Sequence, residues 1–334
     1  MIARIRAIAA MEWAVQRRDP LIALLPLVLG LLAFGYASGG PVELVPSRGA
    51  VPRTAPWALA LATTGLVAFG QVLTTMITAT VVLRDRAVGM DVLLATGALT
   101  RHEYLAGKLV AALGILLLVQ AAIPVGLLAG IVVHDGAAVA LTPATLVAIA
   151  RPTVLLVVPV LVSVGLLQFA MGALVGRLWA IVGQGLVLLW LWGAVLGAAE
   201  RGDAAPPAWL DPFASAPLVA ATRAWPDARR AVDAMPIDAA WAWNRLLWST
   251  LGVAAVLLTV RRATIAAPPV AARRAPGRVP AAPPPTSDAW RRTIGTPLDA
   301  VATVRAVAGY TARWMLRDAG WRVLALLGVL NVAV

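Results

Sequence analysis

Long apolar runs decide what this chain can fold into. LIALLPLVLGLLAFGYAS follows Pro20, a second run lies between Trp57 and Leu83, and GILLLVQAAIPVGLLAGIVV fills most of Leu109–Val133. Each approaches the ~20 apolar residues that carry a helix across a hydrocarbon core. In lipid no water satisfies backbone N–H and C=O groups, so a run of this kind must close its hydrogen bonds within itself, as a helix. Apolar residues make up 60% of the 334 and charged residues 13%, with a mean hydropathy of +0.84. Soluble domains average about 45–50% and about 25%. A disordered chain is excluded, the composition argues against a soluble enzyme, and the expected class is an all-α polytopic membrane protein.

Six spans are expected, at about 21–38, 57–83, 109–133, 152–175, 178–198 and 241–260, within a transmembrane domain of 21–262. The last has a short charge-free core and is extended back to Trp241 and Trp243, which suit an aromatic belt. The first twenty residues carry Arg4, Arg6, Glu12, Arg17, Arg18 and Asp19 and have no signal-peptide core. Ile2, Ile5, Ile8, Ala9, Glu12 and Trp13 recur at near-helical spacing, which predicts an interfacial helix over 1–20. An external segment, 199–244, joins spans five and six, and its aromatic residues suit the outer interface.

Charge orients the bundle. Of the 28 basic residues, 20 fall on the side holding the N-terminus and eight on the other, while the acidic residues divide eight and eight. The net charge of +12 therefore sits on one side, and the positive-inside rule makes that side cytoplasmic. Both the N-terminus and the C-terminal tail are expected there, in a multi-pass protein of the cell membrane. Topology accounts for the charge, so a nucleic-acid partner is not expected. The lipid bilayer is the expected surrounding.

Residues 263–297 are rich in Pro, Ala and Arg and read as a cytoplasmic linker. Beyond it the beginning of the chain is echoed: RAIA at Arg6–Ala9 matches RAVA at Arg305–Ala308, and Arg18-Asp19 matches Arg317-Asp318 at the same offset. Residues 298–334 are expected to be the truncated start of a second transmembrane half. Chance likeness between two interfacial lead-ins is the alternative.

The connection between spans two and three is the most informative segment. It opens on Arg84-Asp85-Arg86, and Val88, Val92, Ala95 and Leu99 then fall on one face of a short helix, 86–99. Thr100 and Glu103 match a capping box, and Tyr104 and Lys108 lead into span three. A helix that merely anchors the loop to the membrane surface is the plain alternative. The run Leu93-Leu94-Ala95-Thr96-Gly97-Ala98-Leu99-Thr100-Arg101-His102-Glu103-Tyr104-Leu105-Ala106-Gly107-Lys108 resembles the corresponding segment of ABC-2 type transporter permeases, with Gly97-Ala98 where that family often has Pro. Glu12-Trp13 resembles the acidic-aromatic pair of the family's elbow helix. LDPF at Leu210–Phe213 and WNRLLW at Trp243–Trp248 are similar to the large two-half permeases, some fused to an M1-type aminopeptidase. The resemblance covers about residues 1–262, and again from about 298. It implies a six-helix ABC-2 type bundle with an N-terminal amphipathic elbow helix, a separate ABC ATPase subunit as partner, and a second permease half. It also implies docking of the ATPase through 86–99, with Arg84, Asp85, Arg86, Arg101 and Glu103 setting orientation.

Catalytic motifs are missing from the sequence. There is no GxxxxGK[ST] loop, no HExxH and no GxSxG, so ATP and Mg would be bound by the partner ATPase and no cofactor by this chain. Cysteine is absent, and His102 and His134 stand apart, so no metal site or catalytic residue is expected. The spans are almost free of charge, which argues against a proton-driven carrier. Gln71, Gln120, Gln168 and Gln184 are the deepest polar residues, candidates for interhelical hydrogen bonds or a substrate path. Two readings remain open: a transport subunit driven from outside the membrane, and an anchor or assembly module for a peptidase or other complex.

Overall fold

The computed structural model describes residues 1–45, 51–90, 94, 99–202 and 207–262. The linker expected at 263–297, the second half expected at 298–334, and Val92 and Ala95 lie outside the described residues. Among those described there is no strand. The helices are α1 (Ile2–Gln16), α2 (Pro20–Ala37), α3 (Pro56–Ala87), α4 (Arg101–Gln120), α5 (Ala122–Asp135), α6 (Ala137–Ala140), α7 (Pro143–Pro152), α8 (Val158–Val175), α9 (Leu178–Arg201), α10 (Ser215–Thr222), α11 (Asp227–Val232) and α12 (Ala239–Arg262). The protein is a polytopic, all-helical membrane protein.

Five of these segments, where six were expected, are long and apolar enough to span: α3, α4–α5 together, α7–α8 together, α9 and α12. The short member is α2, whose 18 residues rise about 27 Å against the ~30 Å hydrocarbon core. Two spans begin earlier than hydropathy indicates. Span three starts at Arg101 because Thr100 and Glu103 form the capping box, with Glu103 N donating to Thr100 Oγ1 at 3.3 Å. Span four starts at Pro143 behind the Thr142 cap.

Proline shapes both compound spans. Pro124 has no N–H to bond the Gln120 carbonyl, and the ladder breaks at Ala121 between α4 and α5. Pro159 does the same to the Leu155 carbonyl, and the chain passes from α7 to α8 through a single wide π turn, Thr153–Val157.

Small residues set the closest helix contacts. Gly126 and Gly130 of α5 face Gly30, Ala33 and Ala37 of α2; a Cβ on Gly130 would stand 2.7 Å from the Ala37 Cβ. Gly252 brings α12 onto α8, its would-be Cβ 2.8 Å from the Ser163 carbonyl oxygen. Leu29, Leu66, Ile115, Leu116, Ile123, Leu127 and Phe169 fill the core between the helices. Trp179, Val187, Trp190, Leu246 and Leu257 stay exposed on the outer faces of α9 and α12, as lipid contact requires.

The chain passes to and fro between two ends. α1, the end of α3, the start of α4 and the end of α12 share one, the elbow end, where the Arg101 guanidinium donates to the Arg261 carbonyl at 3.2 Å. The expected helix 86–99 does not begin at 86, because Arg86 and Ala87 complete α3. Val88 closes α3, and Gly89 follows at φ +72°, a left-handed conformation that stops the helix.

Candidate functional site

Helix α1 is turned differently from its hydropathy. Ile8, Glu12 and Gln16 form its buried face, while Ile2, Met11, Trp13 and Val15 are exposed. Ile2 and Trp13 thus leave the face expected of them. The reason is a set of partners waiting in α3 and α4. Gly107 of α4 opens the groove that receives α1: a Cβ there would stand 2.6 Å from Ile8 Cβ. One residue on, Lys108 is almost completely buried.

Lys108 has three N–H donors and uses all of them. It is ion-paired with Glu12, contacts Asp85 Oδ2 at 2.7 Å and donates to the Val81 carbonyl at 3.1 Å. Arg84 reaches Glu12 at 2.7 Å and Asp85 at 3.7 Å. The Tyr104 hydroxyl donates to Asp85 Oδ2 at 2.8 Å. Two carboxylates meet two cations, so the cluster is neutral where solvation is lost, the condition under which buried charge is tolerated. Around it, Gln16 donates to Thr80 at 3.3 Å and Arg86 to the Ala173 carbonyl at 3.1 Å. Glu103 holds the other end of α1 through Arg4 at 3.4 Å and the N-terminal amine at 3.7 Å.

The assembled site therefore contains Glu12, Arg84, Asp85, Tyr104, Gly107 and Lys108. Arg86, Arg101 and Glu103 lie beside it, Val88 is exposed and Leu99 half-buried. Asp85 and Glu103 are buried and engaged within the chain rather than standing out from it. Lys108, Tyr104 and Gly107 belong to the T-R-x-E-Y-L-x-G-K run, yet nothing in the sequence assigned them a task. A lysine at the threshold of span three, with a glutamate on the preceding surface helix, was the available signal. The arrangement has no nucleophile–base pair. Its chemistry is attachment: α1 cannot move away from α3 and α4 without separating buried charges, so the three elements move together.

At the opposite end, LDPF and WNRLLW come together. Asp211 is fully buried and accepts from Phe213 N, Ser215 Oγ and Ala216 N, each at 2.7 Å. Asn244 donates to the Asp211 carbonyl at 2.7 Å and to that of Trp209 at 2.9 Å, and Arg245 to that of Pro212 at 3.2 Å. Burial pushes the Asp211 carboxyl above the usual carboxylate range, against those hydrogen bonds and the Arg245 charge. Trp192 donates to Ser215 Oγ at 2.6 Å and sets its ring edge-on to Phe213, and Trp57 donates to Thr222 at 2.8 Å beneath Arg230. Residues 207–244 are thus tied to the end of the bundle by buried hydrogen bonds.

The four glutamines occupy four helices. Gln71, Gln120 and Gln168 are buried and Gln184 half-buried. Gln168 donates to Thr75 Oγ1 at 2.5 Å, and Gln120 packs against Gly70. The chain matches no protein-family model, no curated protein and no solved structure.

Proposed function

We propose that this chain is the permease subunit of an ABC-2 type transporter, moving its substrate with energy from a separate ATPase subunit that binds ATP and Mg. One observation carries the reading. The residues that give the sequence its likeness to these permeases, Glu12 on the elbow helix and Glu103-Tyr104-Leu105-Ala106-Gly107-Lys108 on α4, meet in one buried joint. A joint between a surface helix and two spanning helices suits a protein driven from one face, since force on α1 or on the α3–α4 connection is passed to both spans as rigid-body motion. In this reading the elbow end is cytoplasmic, α2 completes a six-helix bundle, the ATPase docks through the segment that contains Val88, Val92, Ala95 and Leu99, and a second permease half completes the transporter in the cell inner membrane.

The test is co-purification in mild detergent. A permease half brings down a nucleotide-binding subunit and stimulates its ATP hydrolysis. Val92→Asp places an unpaired charge on the docking face and lowers both, while membrane insertion stays normal. If the protein recovers no nucleotide-binding subunit, the transport reading fails and the anchor reading replaces it.

A further inference from the structure

The mid-depth glutamines have more hydrogen-bonding capacity than the protein satisfies. Gln71 Nε2, Gln120 Oε1, Gln168 Oε1 and Gln184 Oε1 are buried and have no hydrogen-bond partner among the described residues. Gln71 and Gln168 are 2% and 0% exposed. Buried amide groups in folded proteins are rarely left so, because their desolvation goes uncompensated. Turning an amide over exchanges its oxygen and nitrogen and still leaves one atom unmatched.

Two of these side chains gather about Thr75. The Gln168 amide donates to the Thr75 hydroxyl at 2.5 Å, and that hydroxyl donates to the backbone carbonyl of Gln71 at 2.9 Å, one turn earlier on the same face of α3. Gly185, beside Gln184, meets the same threonine: a Cβ there would lie 2.8 Å from Thr75 Oγ1 and 3.7 Å from Gln168 Nε2. One turn away along α3, a Cβ on Gly70 would lie 2.7 Å from Gln120 Nε2. The Gln168 amide thus meets α3 at Thr75, and the Gln120 amide meets it at Gly70. Gln71 is near the midpoint of that helix, and Gln120 near the midpoint of the Arg101–Asp135 span. Below them Thr74 and Thr78 continue the polar side of α3 toward Asp85 and the ion cluster.

We propose that Gln71 and Gln168, with Thr75, form a water-binding site at mid-depth in the bundle. The unmatched atoms include both donor and acceptor positions, and no carboxylate belongs to the group. Water supplies both from one small molecule and needs only two to four polar partners, which the group offers. The site stands independently of the transport reading, since an anchor with this core would hold the same water.

The chain has no cysteine, so single cysteines report without background. The full chain in lipid nanodiscs is treated with 2-aminoethyl methanethiosulfonate, whose sulfenyl sulfur is attacked by thiolate and not by thiol, forming a mixed disulfide and releasing methanesulfinate. A cysteine held in dry apolar surroundings has a raised pKa, each unit of which removes about tenfold of its thiolate. Gln71→Cys, Gln168→Cys and Thr75→Cys should react at least about tenfold faster than Leu66→Cys and Ile115→Cys, which are buried among apolar side chains. Thr75→Cys is close to the native residue in size and carries the test if a glutamine variant does not fold. Equal and slow reaction at all five positions overturns the water site. Equal and fast reaction overturns it too, because water would then be general to the bundle.

Discussion

Lys108→Met separates the ion cluster from ordinary packing. Methionine keeps much of the length of lysine and removes the charge. Glu12 is 0% and Asp85 4% exposed, and each loses its closest cation. Arg84 remains at 2.7 Å from Glu12, but its side chain is 27% exposed and its contact to Asp85 is 3.7 Å, so two buried carboxylates are left with one cation. Removing one partner from a buried ion pair costs about 3–5 kcal/mol. At about 1–2 °C per kcal/mol for a chain of this size, the melting temperature should fall by about 3–10 °C. Thermal unfolding in detergent, followed by tryptophan fluorescence and near-ultraviolet circular dichroism, reads this directly. Adding Glu12→Gln should return part of the loss, because the second change removes the charge that the first left unpaired. A Lys108→Met protein that melts within about 2 °C of the wild type, or a double variant less stable than the single, would refute the buried ion-pair account.

Three further outcomes are expected. Gly107→Leu drives a side chain into Ile8 and should release α1, read as faster tryptic cleavage at Arg4, Arg6 and Arg17; unchanged cleavage would show that the groove is not needed. Asp211→Ala leaves the buried N–H groups of Phe213 and Ala216 without their acceptor, at a cost of about 2 kcal/mol or more. Its signature is loss of the near-ultraviolet signal of Trp57 and Trp192, and a preserved signal would remove Asp211 from its role in tying 207–244 to the bundle. Single cysteines test the topology: Asp227→Cys, on a half-exposed side chain, should react with an impermeant reagent from outside, Ser287→Cys should not, and Ser215→Cys should stay silent because Ser215 is fully buried. Labelling at Ser287 from outside would invert the orientation.

The sequence by itself determined the class. Apolar runs near the thickness of a bilayer leave the backbone no alternative to helices, and hydropathy located the cores of the spans because lipid solvation is a local property of each segment. The capping box at Thr100–Glu103 was legible for the same reason: its partners lie three residues apart. Tertiary structure decided what depends on neighbours distant in the chain. Periodicity grouped Ile2 and Trp13 with Ile8, but a helix rolls toward the partners offered to it, and Gly107 and Lys108 offered theirs to Ile8 and Glu12. LDPF and WNRLLW could be noticed in the sequence, while their union through Asp211, Asn244 and Arg245 required the chain to return across more than thirty residues. The boundary between α3 and the segment after it was set by a left-handed glycine, Gly89, which hydropathy does not register. Solvation of a segment is fixed by its own residues; satisfaction of a buried charge or amide is fixed by whatever the fold brings beside it.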